Sequence, residues 1–136
     1  MADTNIMELT NKIIDVIENA DGKALATMVP GCLHVVPVST VKVIDHKIVL
    51  VNYFMGKTLE NILQNPSVSL ACWRGLDGYQ IKGQAEYLTE GDVFNEMKDM
   101  VSTELPDRFV KGVLVFTPDE VYDVSATIER PGEKIL

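Results

Sequence analysis

The chain has 136 residues, of which 46% are hydrophobic, and twenty acidic against twelve basic side chains leave a net charge of -8. That length fits a single domain with one core, residues 1–136. The acidic balance opposes general attraction to nucleic acid or to an anionic membrane, so any anionic ligand must be held by local cations. No apolar run approaches the ~20 residues that span a bilayer, and Met1-Ala2-Asp3-Thr4-Asn5 lacks the basic start of a signal peptide, which predicts a cytoplasmic protein. Cys32 and Cys72 show no CxxC or Cys/His spacing and read as free thiols. His34 and His46 stand apart from other ligand types, so no metal site is expected, and His46 reads as an exposed turn residue.

Between residues 4 and 19 the apolar positions Ile6, Leu9, Ile13, Val16 and Ile17 recur at helical spacing, with Asp3 or Thr4 as the N-cap and Gly22 beyond the end. From Lys23 the pattern becomes that of strands: residues 24–29, a Pro30-Gly31 turn, a long second strand over 33–44, an Asp45-His46-Lys47 turn, and a third strand over 48–53. Three strands joined by short turns imply an antiparallel meander. A fourth strand covers 67–73. The clearest alternation follows in the fifth, where Tyr79, Ile81, Gly83, Ala85 and Tyr87 share one face and Gln80, Lys82, Gln84 and Glu86 the other. A second amphipathic helix begins near Asp92 and buries Val93, Phe94, Met97, Met100 and Val101. The last strand runs over 111–116, breaks at Thr117-Pro118-Asp119 and resumes over 120–124. Residues 125–136 read as a polar tail.

The segment Phe54-Met55-Gly56-Lys57-Thr58 joins the third strand to a short helix predicted over 58–64. Lys57 offers a mobile cation, Thr58 a hydroxyl, and the first amides of the helix leave their N–H groups unpaired at the same spot, which makes the turn a candidate phosphate seat. The competing account is a surface turn followed by a capped helix. No nucleophilic triad can be assembled from the two histidines. The strands and helices do not alternate as βαβ units, which excludes a doubly wound parallel sheet. They predict instead a mainly β fold: a six-stranded antiparallel split β-barrel of Greek-key type, with an N-terminal helix, a short helix after strand 3 and a helix before the last strand.

The ordered set Pro37-Val38-Ser39-Thr40, then Gly56-Lys57-Thr58 followed by Asn61 and Asn65-Pro66, then Tyr79-Gln80-Ile81-Lys82-Gly83-Gln84-Ala85-Glu86, resembles the FMN-binding split barrels related to pyridoxamine 5'-phosphate oxidase and to the small FMN-binding proteins of anaerobes. The resemblance covers most of the chain. It implies FMN as cofactor, lying in a groove between the two subunits of a homodimer, and an FMN-binding oxidoreductase or electron-transfer protein with an unknown redox partner. Carried over by position, Lys57 and Thr58 would hold the phosphate, with Gly56 allowing close approach of the backbone. Val36, Pro37, Val38, Ser39 and Thr40, with Val51 and Asn52, would lie along the ring and ribityl chain.

Trp73 and Gln80 complete the candidate set, Trp73 beside the flavin or the dimer groove and Gln80 on the wet face of the fifth strand. Ordinary structural accounts exist for both, closing the core and solvation respectively. Asp107-Arg108 and Glu129-Arg130 read as surface charge. The full oxidases carry further basic residues where this chain has Val35, Thr40 and Gly56, and the segment Ile128-Glu129-Arg130-Pro131-Gly132-Glu133-Lys134 lacks their substrate-binding Arg/His portion. A smaller flavoprotein is therefore expected. The alternatives are a non-catalytic flavin or nucleotide carrier or sensor, or a split barrel using a deazaflavin or haem.

Overall fold

The computed structural model of the chain describes residues 7–127, 129 and 131–136. Among these, three helices and eight strands follow one another as α1 (Asn11–Glu18), β1 (Gly22–Val29), β2 (Cys32–Pro37), β3 (Val41–Ile44), β4 (Lys47–Asn52), α2 (Lys57–Gln64), β5 (Ser67–Arg74), β6 (Asp77–Leu88), α3 (Asp92–Glu104), β7 (Gly112–Asp123) and β8 (Glu133–Lys134). All strand pairs are antiparallel in the order β2-β1-β5-β6-β7-β4-β3, with β8 added to β7. The fold is mainly β, and broadly that of a split barrel, but with eight strands where six were expected and without closure of the hydrogen-bonded path.

The two extra strands come from two places, and a third departure joins what was expected to be broken. The expected strand over 33–44 divides: the Val38 N–H donates to the Lys23 carbonyl of β1 at 3.1 Å, and two residues later the Thr40 carbonyl accepts from the Val51 N–H of β4 at 3.2 Å. Residues 38–40 thus carry the chain from one edge of the sheet to the other, and apolar alternation continues through a change of partner without marking it. Two residues of the expected polar tail, Glu133 and Lys134, pair with Asp123 and Tyr122. At Pro118, where a break was expected, β7 instead runs on past a bulge. The register shifts between Lys82 and Gly83, so that Glu120 faces Lys82 and Pro118 faces Gly83, leaving Asp119 extra. A bulge is one of the few places in a sheet that accepts a residue without an N–H.

Helix α1 starts at Asn11, later than its apolar spacing suggested, because Thr10 takes the cap and accepts the Ile13 N–H. The expected cap at Asp3 or Thr4, and Ile6, lie outside the described residues. Ahead of the helix, the Leu9 N–H donates to His46 Nδ1 at 3.0 Å. His46 is therefore half-buried and bonded, not simply exposed. With Asp45 it forms the two-residue β3–β4 turn, both at positive φ (50° and 62°), as a hairpin of primed type requires.

Strand β4 is buried on both faces. Ile48 and Leu50 point into the larger core with Leu25, Leu70, Ile81, Leu114 and Phe116, which α1 covers with Ile13, Val16 and Ile17. Val49, Val51 and Tyr53 point the other way, into a second cluster with Met97 and Val101 of α3 and with Val110 and Val113. This explains why residues 48–53 read as a continuous apolar run, the mark of a strand with two dry faces. It also brings the end of β4, the start of α2 and the loop after α3 to one place.

Candidate functional site

That place is a cavity of about 390 Å³, within the roughly 300–1,000 Å³ of small-molecule sites. One wall is the edge strand β2 and the crossing after it: His34, Val36, Pro37, Val38 and Ser39. Opposite lie Val51, Tyr53, Phe54 and Met55, then Gly56, Lys57 and Thr58 at the start of α2, and Arg108 from the loop after α3. Eight of the expected residues therefore meet there: Val36, Pro37, Val38, Ser39 and Val51 on the walls, and Gly56, Lys57 and Thr58 at the helix start.

The other four stand elsewhere. Thr40 does not line the cavity, but its hydroxyl shares a 2.8 Å hydrogen bond with the phenol of Tyr53, which does. Asn52 is buried beneath the site: its amide nitrogen donates to the Tyr87 hydroxyl at 2.8 Å and its carbonyl oxygen accepts the Met55 N–H at 2.7 Å. It thereby fixes the loop leading into α2. Trp73 is neither in the cavity nor in the core. It is 44% exposed and lies over Gly22, its cross-strand partner. Gln80 pairs with Ala71 and Tyr122 in the sheet and is not among the cavity residues.

Helix α2 begins one residue earlier than expected, at Lys57, with Gly56 as N-cap. A glycine cap supplies no side-chain acceptor, and no capping hydrogen bond is made, so the amides of the first turn stay available and the end of the helix is electropositive. A Cβ on Gly56 would meet no protein atom within 4 Å. The glycine thus faces open space, with room for a ligand against the backbone. Thr58 is buried and Lys57 is exposed, with its ammonium 4.0 Å from Glu60, a contact too long and too solvated to neutralise it strongly. No Asp or Glu lines the cavity among the described residues, whereas Lys57, Arg108 and His34 do. On a chain of net charge -8, this is a local cationic site with mostly apolar walls.

Sequence reasoning missed His34, Tyr53, Phe54, Met55 and Arg108. Tyr53, Phe54 and Met55 adjoin the turn that was found, so proximity alone was a signal. His34 lies two residues before Val36 on the same face of β2, and strand alternation could have included it. Arg108 had no signal: its approach depends on how α3 packs on β4. The guanidinium carbon lies 5.1 Å from the centre of the Tyr53 ring, a cation–π distance. The two thiols are free, Cys72 buried and Cys32 half-buried. Among the described residues no group of His, Cys, Asp and Glu is placed to hold a metal ion, and no helix is long and apolar enough to cross a membrane.

An open antiparallel sheet with helices at its margins, and a locally cationic cavity at the start of the second helix, define a small β domain with one candidate site where these elements meet. More particularly, the chain belongs to the pyridoxamine 5'-phosphate oxidase family, whose model matches residues 9–125. It is 30% identical over 126 residues to the uncharacterized protein MJ0282 of Methanocaldococcus jannaschii, spanning 90% of this chain and 85% of that one. Among solved structures it is similar to HupZ of Group A Streptococcus, with a TM-score of 0.80 and 22% identity over 95% of this chain and 100% of that one. It is also similar to an FMN-binding protein from Syntrophomonas wolfei subsp. wolfei, with a TM-score of 0.74 and 18% identity over 84% of each chain.

Proposed function

We propose that this protein is an FMN-binding flavoprotein, an oxidoreductase or electron-transfer protein acting as a cytoplasmic homodimer. The observation that carries the reading is the cavity at the uncapped start of α2, which joins Lys57, Thr58 and free backbone amides to apolar walls with no carboxylate. Membership of the pyridoxamine 5'-phosphate oxidase family and the FMN-binding neighbour support it.

In this reading Lys57, Thr58 and the first amides of α2 bind the phosphate through charge-assisted hydrogen bonds. Val36, Val38 and Val51 give the ring dry surfaces and keep water from it, and Pro37 and Ser39 bound its edge. FMN, when bound, supplies the hydride or single-electron chemistry. Asn52 and Thr40 act on the site through the loop and the ring that they hold. A second subunit would cover the exposed Phe54, 84% accessible on the cavity wall, and Phe109, 73% accessible beside Arg108; large apolar side chains so placed are typical of interaction surfaces.

The test is a titration with FMN. The expected result is a yellow, saturable complex, with Lys57→Ala and Thr58→Ala folded but weakened in binding. Protein that leaves the flavin spectrum unchanged overturns the reading, and a monomer on gel filtration with FMN bound removes the shared groove. His34 on the cavity wall favours one alternative, since its imidazole would be the side chain to hold the iron of a haem. Mass spectrometry of the ligand released on denaturation distinguishes FMN, a deazaflavin and haem. Bound FMN that no nicotinamide donor or cellular reductant reduces at a useful rate would point to a carrier or sensor.

A further inference from the structure

The cavity contains a second cation whose setting differs from that of Lys57. Arg108 sits in a short connection held at both ends: its N–H donates to the Leu105 carbonyl at the end of α3 at 2.9 Å, and three residues on, the Lys111 N–H donates to the Asn52 carbonyl at 3.0 Å. Between them Val110 is buried in the cluster under α3. The guanidinium is laid over the Tyr53 ring. That ring is itself 6% exposed, and its hydroxyl is bonded to Thr40, so the platform is fixed from below. Among the described residues no carboxylate makes an ion pair with Arg108.

A guanidinium carries its N–H donors fixed in its own plane. Such a flat, weakly hydrated cation suits the polar edge of a planar conjugated ligand, whereas the compact Lys57 ammonium beside a helix start suits a phosphate. With no ion-pairing carboxylate among the described residues, it also favours whichever form of the ligand carries more negative charge. We infer that Arg108, held over the Tyr53 ring in this cavity, is a specificity-determining residue for the ring portion of the ligand and binds two-electron-reduced, anionic flavin more tightly than oxidised flavin. The inference rests on the flavin reading above, but its test separates the two.

Wild type, Arg108→Ala, Arg108→Lys and Lys57→Ala are titrated with oxidised FMN and with riboflavin, and the midpoint potential of each bound flavin gives the ratio of reduced to oxidised Kd. Arg108→Ala should raise that ratio about tenfold, the scale of one charge-assisted contact, and should do so for riboflavin as for FMN. Arg108→Lys should recover part of the effect. The loss in Lys57→Ala should appear with FMN and vanish with riboflavin, which has no phosphate. An unchanged ratio in Arg108→Ala, with wild type binding both flavins, overturns the inference and leaves the flavin reading intact. An Arg108 effect confined to FMN makes it a phosphate ligand and likewise overturns the inference. Wild type that binds neither flavin overturns the flavin reading itself, and the role of Arg108 with it.

Discussion

The phenol of Tyr87, which accepts a hydrogen bond from the Asn52 side-chain amide at 2.8 Å, occupies the space that a Cβ on Gly112 would need. Gly112 is the cross-strand partner of Asn52. The absence of a side chain on β7 is what lets a tyrosine from β6 reach across to β4. Asn52 in turn holds the Met55 N–H, so three strands cooperate to set the loop that delivers Gly56 and Lys57 to the cavity.

Asn52→Ala leaves the Met55 N–H without its acceptor and the Tyr87 hydroxyl without its donor, and should cost about 1–3 kcal/mol in urea unfolding. Gly112→Ala should cost a similar amount by displacing Tyr87, about 1–3 kcal/mol for overpacking. If the cavity holds flavin as proposed, both should weaken its binding although neither residue lines the cavity. Wild-type stability and affinity in Asn52→Ala would show that the loop sets itself.

Two other glycines should respond to the same change to very different degrees. A Cβ on Gly83 would run into the Thr117 carbonyl of β7 at the bulge, where backbone has nowhere to go, whereas the nearest atoms to one on Gly22 belong to the indole of the half-exposed Trp73. Gly83→Ala should lose about 2 kcal/mol or more, or force the bulge out of register. Gly22→Ala should turn the indole outward, shifting its emission to the red while costing less than about 1 kcal/mol. Since Trp73 is the only tryptophan, fluorescence reports the movement directly.

Burial raises the Cys72 thiol to about 11 from its ordinary 9.0, only partly opposed by its hydrogen bond to the Tyr79 carbonyl and by Lys23. Between those values the folded chain keeps a proton that the unfolded chain releases. The associated stability is therefore fully present below pH 9 and falls as pH rises toward 11. Tyr79, raised chiefly by burial and then by Asp123, Asp77 and Cys72, acts in the same direction, whereas Lys23, lowered by burial, opposes it. Comparing wild type with Cys72→Ala isolates the thiol: the stability lost by wild type between pH 8 and pH 10.5 should exceed that lost by the variant. Equal losses would mean that Cys72 does not contribute. At neutral pH, a thiol reagent should label the half-buried Cys32 well before Cys72.

Much of the sheet was legible because its signals are local. Alternation along β6 requires one face to be dry, and the observed burial of Tyr79, Ile81, Gly83 and Ala85 follows it. The turn at Gly56-Lys57-Thr58 was equally legible, since an N-terminal turn after a strand exposes amides whatever surrounds it. Partner changes are not local. Nothing in Val38-Ser39-Thr40 distinguishes a strand continuing beside β1 from one crossing to β4, and Pro118 reads as a break unless Gly83 is known to face it.

The sequence by itself determined which residues alternate, where the basic turn falls and which positions of α3 are apolar, because periodicity and chain-neighbour chemistry act over a few residues. Only the tertiary structure decided that Thr40 and Asn52 support the cavity without lining it, that Trp73 lies outside it, and that Arg108 joins it. Each of those outcomes depends on packing between segments distant along the chain: β3 against β4, β6 across β7 to β4, β1 beside β5, and α3 on the outer face of β4. A surface-looking arginine becomes part of a site when the helix before it is held against a strand, and that contact has no signature in the residues around Arg108.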